Sequence, residues 1–465
     1  MRIFNRYFSV YDLILLLGDV ILAFLAPAVV RAALSFTDSP ISPLSIHWTM
    51  QSVAIGIIVV LAFYYCDLYA IDQTLSVREL ILRLFTAIGF SCVVIGIVSY
   101  PIPQLGKTIY ASEILLIAVG LCLWRIGFLE VVRKARIHGR VLIVGVHAIG
   151  KLVAEELLRQ RKSGMEVVGF VSNAPGICTL SYGNPVKISL PVFGQSSLRN
   201  LLQEKKVNRI LLSSAETGNG TFGRELLLLR TEGVQIEDCH TFFERLASKI
   251  AIVDLSPEWF VRAGGFRRGL LVMFTKRIID IIASALGMLC SAPIIMLATV
   301  AIKLESPGPL LYRQERVGQG GRLFTIYKFR SMTENAEANV GPVWATQDDP
   351  RVTRVGKLIR KLRIDEIPQM VNVLKGEMSF VGPRPERPFF VQGLTAKIPF
   401  YDLRHSVKPG ITGWAQICYP YGDSEEDAKE KLQYELYYIK HMSALFDLQI
   451  IFESLKVILL GRGAR

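Results

Sequence analysis

The sequence has 465 residues, enough for about three domains. Hydrophobic residues make up 51% of it and the formal net charge is +13. That balance argues against a wholly soluble enzyme and assigns the basic excess first to cytoplasmic loops beside membrane helices. The seven cysteines form no CxxC pair, and no zinc-finger or similar signature occurs, so a disulfide scaffold and a nucleic-acid partner are both disfavoured.

Four apolar runs occupy the first third: Val10–Val30, Trp48–Tyr65, Leu80–Val98 and Tyr110–Val132. Each is near the ~20 residues that cross a bilayer. A cleaved signal peptide is the alternative for the first run, but the run is long and no clear small-residue cleavage site follows. Asp12 and Asp19 interrupt that run about two helical turns apart and read as packing or interfacial residues. Arg2 and Arg6 precede the first run, Arg78 and Arg83 bracket the start of the third, and Arg133, Lys134, Arg136 and Arg140 follow the fourth. The other side offers little beyond Arg31 and Lys107. The positive-inside rule therefore places both ends of a four-span bundle, residues 1–138, in the cytoplasm.

From Gly139 the pattern alternates between strands and helices. Arg140–Val144, Glu166–Val171, Asn208–Ser213 and Val234–Glu237 read as strands; Lys151–Arg159, Ser197–Lys205 and Phe222–Thr231 read as helices. This predicts an α/β, Rossmann-like domain over 139–254 with a parallel sheet. The turn after its first strand is Gly145-Val146-His147-Ala148-Ile149-Gly150. A dinucleotide fingerprint needs glycine where His147 stands, because the backbone must approach a pyrophosphate closely. The second strand ends in Ser172-Asn173, with no acidic residue for a ribose. The domain is expected to serve dimerisation or regulation without NAD chemistry; a nucleotide-sensing pocket is the other reading.

Residues 255–273 read as a linker. The apolar stretch Ile278–Leu304 is long enough to span. A fifth crossing would place Arg313, Arg316, Arg322, Lys328 and Arg330 outside, against the charge rule. Ser291-Ala292-Pro293 interrupts the stretch, and proline removes a backbone donor and crowds the preceding turn. A re-entrant helix–break–helix is therefore predicted, with the Ser291 hydroxyl satisfying a freed carbonyl.

The remaining sequence is basic and rich in Gly and Pro. Over Val352–Arg363, Val355, Leu358, Ile359 and Leu362 keep helical spacing among Arg354, Lys357, Arg360, Lys361 and Arg363. The segment suits either an anionic membrane surface or an ordinary solvated helix. Asp365-Glu366 follows directly, then Pro368. Arg384 stands between Pro383 and Pro385, which restrict its backbone and suit its guanidinium to a phosphate; a structural salt bridge is the alternative. Tyr327-Lys328-Phe329-Arg330-Ser331-Met332 alternates aromatic and basic residues, as a strand edge against a polyanion would.

These motifs, with Ser306-Pro307-Gly308-Pro309, Asp349-Pro350-Arg351-Val352-Thr353, Asp365-Glu366-Ile367-Pro368-Gln369, the Asn372–Glu386 run and Lys408-Pro409-Gly410-Ile411-Thr412-Gly413-Trp414-Ala415-Gln416, resemble the bacterial sugar transferase family over about Phe274 to Leu460. The whole chain resembles that family's long form: an α-helical membrane bundle, a Rossmann-like α/β middle domain, and a mainly helical catalytic domain over 274–465 with a re-entrant helix. The opening Arg2-Ile3-Phe4-Asn5-Arg6-Tyr7-Phe8-Ser9 resembles the exosortase-associated exopolysaccharide branch. The resemblance implies transfer of a sugar 1-phosphate from a UDP-sugar to undecaprenyl phosphate at the cytoplasmic face of a bacterial inner membrane containing anionic lipids, with UMP released and a homodimer as the assembly. It implies Asp365 as nucleophile, with Glu366 beside it either toward Mg2+ together with Asp365 or as an aid to the acceptor. It further implies a phosphate contact from Arg384, beside which Lys328 and Arg330 of the aromatic–basic run are the other phosphate candidates, and support from Glu386, Glu435 and Asp447. Glu435 stands where the family usually has aspartate, so a structural role is the alternative there.

Overall fold

The computed structural model describes residues 139–159, 165–182, 186–195, 198–213, 220–266, 269–333, 351–419, 422 and 424–459, with parts of 2–128. The chain divides into two compact units, one holding residues 7–238 and the other 239–465, apart from a few exchanged positions at the N-terminus.

In the first unit, apolar helices include Val53–Phe63, Leu84–Val94 and Val119–Phe128. Ile55, Val59, Phe63, Leu84, Ala87, Ile117 and Leu121 form one buried cluster, with Leu22 packed against it. All four apolar runs thus contribute to a common core. Phe85, Val93 and Leu123 point outward and are exposed, as helices facing lipid would have them. Asp19 is buried and paired with Arg125. Beside that pair the chains pass so closely that a Cβ on Gly18 would lie 2.3 Å from the Trp124 ring. Asp12, Arg31, Arg78, Arg83, Lys107, Arg133, Lys134 and Arg136 lie outside the described residues.

The middle sheet has six strands: β1 (Gly139–Val144), β2 (Met165–Ser172), β3 (Gly176–Tyr182), β4 (Val186–Gly194), β5 (Arg209–Leu212) and β6 (Gln235–Asp238). Their order is β3-β4-β2-β1-β5-β6, parallel except at the β3–β4 edge. The helices Ala148–Arg159, Leu198–Glu204 and Gly220–Thr231 make the crossovers. The sequence reading omits β3 and β4. Their alternation is present, with Cys178 and Leu180 buried, but Ile177 on the outward face is 76% exposed and hides the period. Gly145 takes φ 95° in the first turn, and a Cβ on Gly150 would meet the Gly145 carbonyl at 3.0 Å. Two of the turn's glycines therefore serve backbone shape and strand–helix approach.

The second unit packs an aromatic core of Tyr401, Trp414, Tyr437, Tyr438 and Phe446 with Leu432, Leu436 and Ile450. The helix Cys239–Ala247 belongs here by contact: the Trp414 indole donates to Ser248 at 2.9 Å, and Glu244 accepts from Lys440 at 2.7 Å. The sequence reading includes these residues in the 139–254 domain and reads no helix there. The stretch read as a linker contains a helix, Pro257–Arg262, and sends Trp259, Phe260 and Phe266 into this core.

One helix runs unbroken from Leu270 to Glu305, through Pro293. The expected break at Ser291–Pro293 is corrected accordingly: proline costs one internal hydrogen bond, which a long, well-anchored helix accommodates without ending. The Ser291 hydroxyl donates to Gly287 at 2.6 Å, its own preceding turn, rather than to the Leu289 carbonyl that Pro293 leaves free.

Two small sheets flank this helix. β7 (Leu311–Val317) and β8 (Leu323–Phe329) are antiparallel, and β9 (Ser379–Val381) lies parallel to β10 (Gly410–Thr412). The Asn372 side chain seals the free edge of β8, accepting from the Tyr327 amide at 3.2 Å and donating to Thr325 at 2.7 Å. At β9–β10 the two backbones nearly touch: a Cβ on Gly410 would lie 2.1 Å from the Gly382 nitrogen. Gly410→Ala is expected to destabilise the protein by about 1–3 kcal/mol through forced backbone displacement. Thermal inactivation of the purified variant checks this, and wild-type heat resistance contradicts it.

Candidate active site

The site begins with a helix that is stopped early. The helix Arg354–Lys361 is capped by the Thr353 hydroxyl, which accepts the Gly356 amide at 2.9 Å, and by Glu305, which accepts the Val355 amide at 3.0 Å. Its predicted apolar stripe divides. Ile359 is buried and Val355 packs beside it, whereas Leu358 and Leu362 are exposed. Arg363 then adopts the left-handed conformation at φ 54°, which a non-glycine residue takes at a cost of about 1 kcal/mol. This reverses the chain into the 3-10 turn Ile364–Glu366. Both carboxylates of the dyad are consequently buried, at 8% and 7% exposure.

The two carboxylates have different surroundings. Glu366 Oε1 accepts from Arg384 Nη2 at 2.6 Å and from Lys328 Nζ at 3.1 Å, while Arg363 stands 3.5 Å from Oε2. Burial raises its pKa, but Arg384, Lys328 and Arg363 together outweigh that and hold it well below the ordinary range. Among the described residues, no donor bonds to the Asp365 carboxyl. Burial pushes it up to about 6; Lys328 opposes the rise and the charge on Glu366 adds to it. One carboxylate is thus locked by cations that favour its ionised form, and the other has no hydrogen-bond donor among the described residues and is pushed up to about 6 by burial.

Other sequence candidates fall in different places. Arg384 and Lys328 reach the dyad. Arg330 does not: its guanidinium is buried and donates to the Ser306 and Pro307 carbonyls at 2.7 and 2.8 Å, closing the end of the long helix. Glu386 lies 3.7 Å from Arg316. Glu435 is buried and grips Arg404. Asp447 meets Lys276 at 2.8 Å and Tyr438 at 2.8 Å, deep under the long helix. The sequence reading misses Arg363 as part of the site, because helical periodicity places it on a solvated face. It also misses Arg316 and Arg404, which no local spacing marks.

The family model for the bacterial sugar transferase matches residues 271–461. A UDP-glucose:undecaprenyl-phosphate glucose-1-phosphate transferase of Xanthomonas campestris is 31% identical over 334 residues, covering 70% of this chain and 68% of that protein. This chain belongs to the bacterial sugar transferase family. A Caulobacter vibrioides protein of the same description is 41% identical over 212 residues, 44% of this chain and 79% of that protein. A UDP-N-acetylgalactosamine-undecaprenyl-phosphate N-acetylgalactosaminephosphotransferase of Aeromonas hydrophila is 50% identical over 192 residues, 41% of this chain. In that last case the chain spans 45% of the relative's own length.

The environment of the dyad fixes the direction of its titration. Asp365 should gain its charge as pH rises through about 6, above an ordinary carboxylate, while Glu366 stays ionised. Infrared titration of carboxyl bands should lose one protonated band near pH 6. Arg384→Gln should raise that midpoint by removing a positive neighbour, and Glu366→Gln should lower it by removing a negative one. Shifts of the opposite sign contradict the assignment.

Proposed function

We propose that this protein transfers a sugar 1-phosphate from a UDP-sugar to undecaprenyl phosphate, releasing UMP, through a phosphosugar carried on Asp365. The observation that carries this reading is the buried Asp365 carboxylate, without a hydrogen-bond donor among the described residues, next to a fixed cluster of Arg384 and Lys328. A group so placed is a nucleophile waiting for an electrophile whose own charge the cations receive. The names of the relatives give the same two substrates.

In the first half-reaction an Asp365 oxygen attacks the β-phosphorus of the donor, and the bond to the UMP oxygen breaks with its electron pair leaving on UMP. Arg384 and Lys328 receive the equatorial phosphate oxygens. In the second, an oxygen of the polyprenyl phosphate attacks the same phosphorus and returns Asp365 as a free carboxylate. Glu366 anchors the cations throughout. Mg2+, proposed as cofactor, fits Asp365, whose oxygens are open, together with phosphate oxygens of the donor. It fits Glu366 poorly, since both oxygens of that carboxylate face cations. Among the described residues no cluster of three or more potential ligands stands ready for a metal. When bound, the ion would neutralise charge developing on the diphosphate.

The proposed setting is the cytoplasmic face of a bacterial inner membrane, at the first step of exopolysaccharide synthesis. Four N-terminal crossings precede a Rossmann-like domain that serves dimerisation or regulation. The exposed Leu358 and Leu362, beside Arg354, Lys357, Arg360 and Lys361, suit contact with anionic headgroups. The long helix has 36 residues, about 54 Å if straight. Both halves contact the same unit: Asp280 accepts from Ser379 at 2.8 Å, and Ile302 packs with Phe329 and Ile359. Leu286, Leu289, Met296 and Leu297 between them are exposed. Contact of both halves with one unit supports the re-entrant reading, in which the helix bends at Pro293 without ending.

Two experiments test these readings. Asp365→Asn should abolish UMP release from UDP-glucose and UDP-N-acetylgalactosamine, and donor labelled in the β-phosphate should mark an Asp365 peptide in the wild type. Full turnover by the variant would sink the nucleophile assignment. For topology, single cysteines before Ile278 and after Leu304 should both react with an impermeant thiol reagent from the cytoplasmic side. Labelling from opposite sides would defeat the re-entrant reading.

A further inference from the structure

The segment that carries Arg384 is held in an unusual way. Pro383 and Pro385 have no backbone N–H, so they cannot donate to a sheet. The carbonyls are captured instead, one after another. Gly410 N–H donates to Pro383 at 2.8 Å, Arg404 Nη2 to Arg384 at 2.9 Å, Arg316 Nη1 to Pro385 at 3.0 Å, and Val317 N–H to Glu386 at 2.9 Å. Two captors are backbone and two are arginine side chains.

Arg404 is the captor that acts on Arg384 itself, and it is the more firmly built of the two side chains. It is 5% exposed. Its Nε and Nη2 fork onto the two Glu435 oxygens at 2.8 and 2.7 Å, and its Nη1 donates to the Tyr401 hydroxyl at 2.7 Å. Every nitrogen of the guanidinium therefore has a protein acceptor. Such an arginine is poorly disposed to bind substrate but well disposed to hold a backbone.

We propose that Arg404, locked by Glu435, is a positioning residue for the transfer: it fixes the backbone at Arg384 so that the Arg384 guanidinium meets Glu366 and faces the donor phosphate. The inference rests on the reading of Arg384 as a phosphate-binding group. It also gives Glu435 an indirect role, because a carboxylate whose two oxygens hold Arg404 is not available to substrate. A neutral residue at 404 would strand the buried Glu435 charge, whereas lysine keeps the ion pair but not the fork. Arg404→Lys is therefore the informative change.

The test is a double-mutant cycle on UDP-sugar binding, measured calorimetrically in the full-length Asp365→Asn protein so that turnover does not intervene. UDP-glucose and UDP-N-acetylgalactosamine are the probes. Arg404→Lys should weaken binding about ten- to a hundredfold, the scale of a misplaced charged hydrogen bond. In an Arg384→Lys background the same change should cost less than about threefold, because its route of action is already gone. A merely structural pair would weaken binding by the same factor in both backgrounds, and that result overturns the proposal, as does undiminished binding by Arg404→Lys. If Arg404→Lys fails to fold, Glu435→Gln is run through the same cycle, with the same two outcomes deciding. Absence of binding of either probe by the Asp365→Asn parent, and of UMP release by the wild type, would instead refute the transfer reading on which the inference rests.

Discussion

Three cations converge on Glu366, and the site depends on that convergence. Two adjacent carboxylates removed from water repel each other and lose hydration, so at least one must be compensated or protonated. Arg384, Lys328 and Arg363 come from three separate segments: a proline-bounded run, a strand edge and a left-handed turn. Their charges are directed mainly to Glu366. Asp365 receives only part of the field, enough to leave it chargeable near neutrality and too little to tie it into a salt bridge. The nucleophile role proposed for Asp365 calls for a carboxylate that is ionised yet uncommitted, and this partition suits that role.

Holding three segments on one carboxylate demands a rigid frame, and the frame is built with little side-chain material. Asn372 seals the edge of β8 just before Lys328. Gly376 ends the helix Gln369–Lys375 in the left-handed conformation at φ 88°, turning the chain toward β9. Gly382 and Gly410 allow backbone contact that no larger residue permits. Small errors in such a frame would pass directly to the guanidinium of Arg384, and electrostatic catalysis is sensitive to displacements of that scale.

The long apolar helix is part of the same frame. Lys276 and Asp280 are buried in its first half. Lys276 donates to Val381, Tyr438 and Asp447 at 2.9, 2.9 and 2.8 Å, and Asp280 accepts from the Ser379 hydroxyl and the Phe380 amide at 2.8 Å. Replacing such satisfied buried charges by hydrocarbon need not weaken a protein, so register is the more direct reason for them. They allow one alignment between the helix and β9, the strand that leads to Arg384. The exposed apolar surface of the helix and the polar groups of the site are thereby fixed to each other.

The sequence alone determined much of this. Hydropathy and charge marked the apolar segments; alternation located four of the five parallel strands and the three crossover helices of the middle sheet; and motif order gave the family and the dyad. These are local properties, readable because each depends on spacing within one segment. What only the tertiary structure decided is how charges pair across segments. Asp365 and Glu366 are neighbours with similar side chains, and no local pattern says which one three distant cations will hold. Arg330 lies two residues from Lys328, yet Arg330 closes a helix while Lys328 reaches the dyad, because β8 ends at Phe329 and Arg330, just past it, no longer follows the strand's facing. Pro293 looked like a helix break, but whether a proline breaks or is merely carried depends on what anchors both flanks. Arg404 gave no signal at all: apart from Tyr401, three positions away, its partners lie 20 and 31 positions away, and a contact between distant segments exists only once the chain has folded.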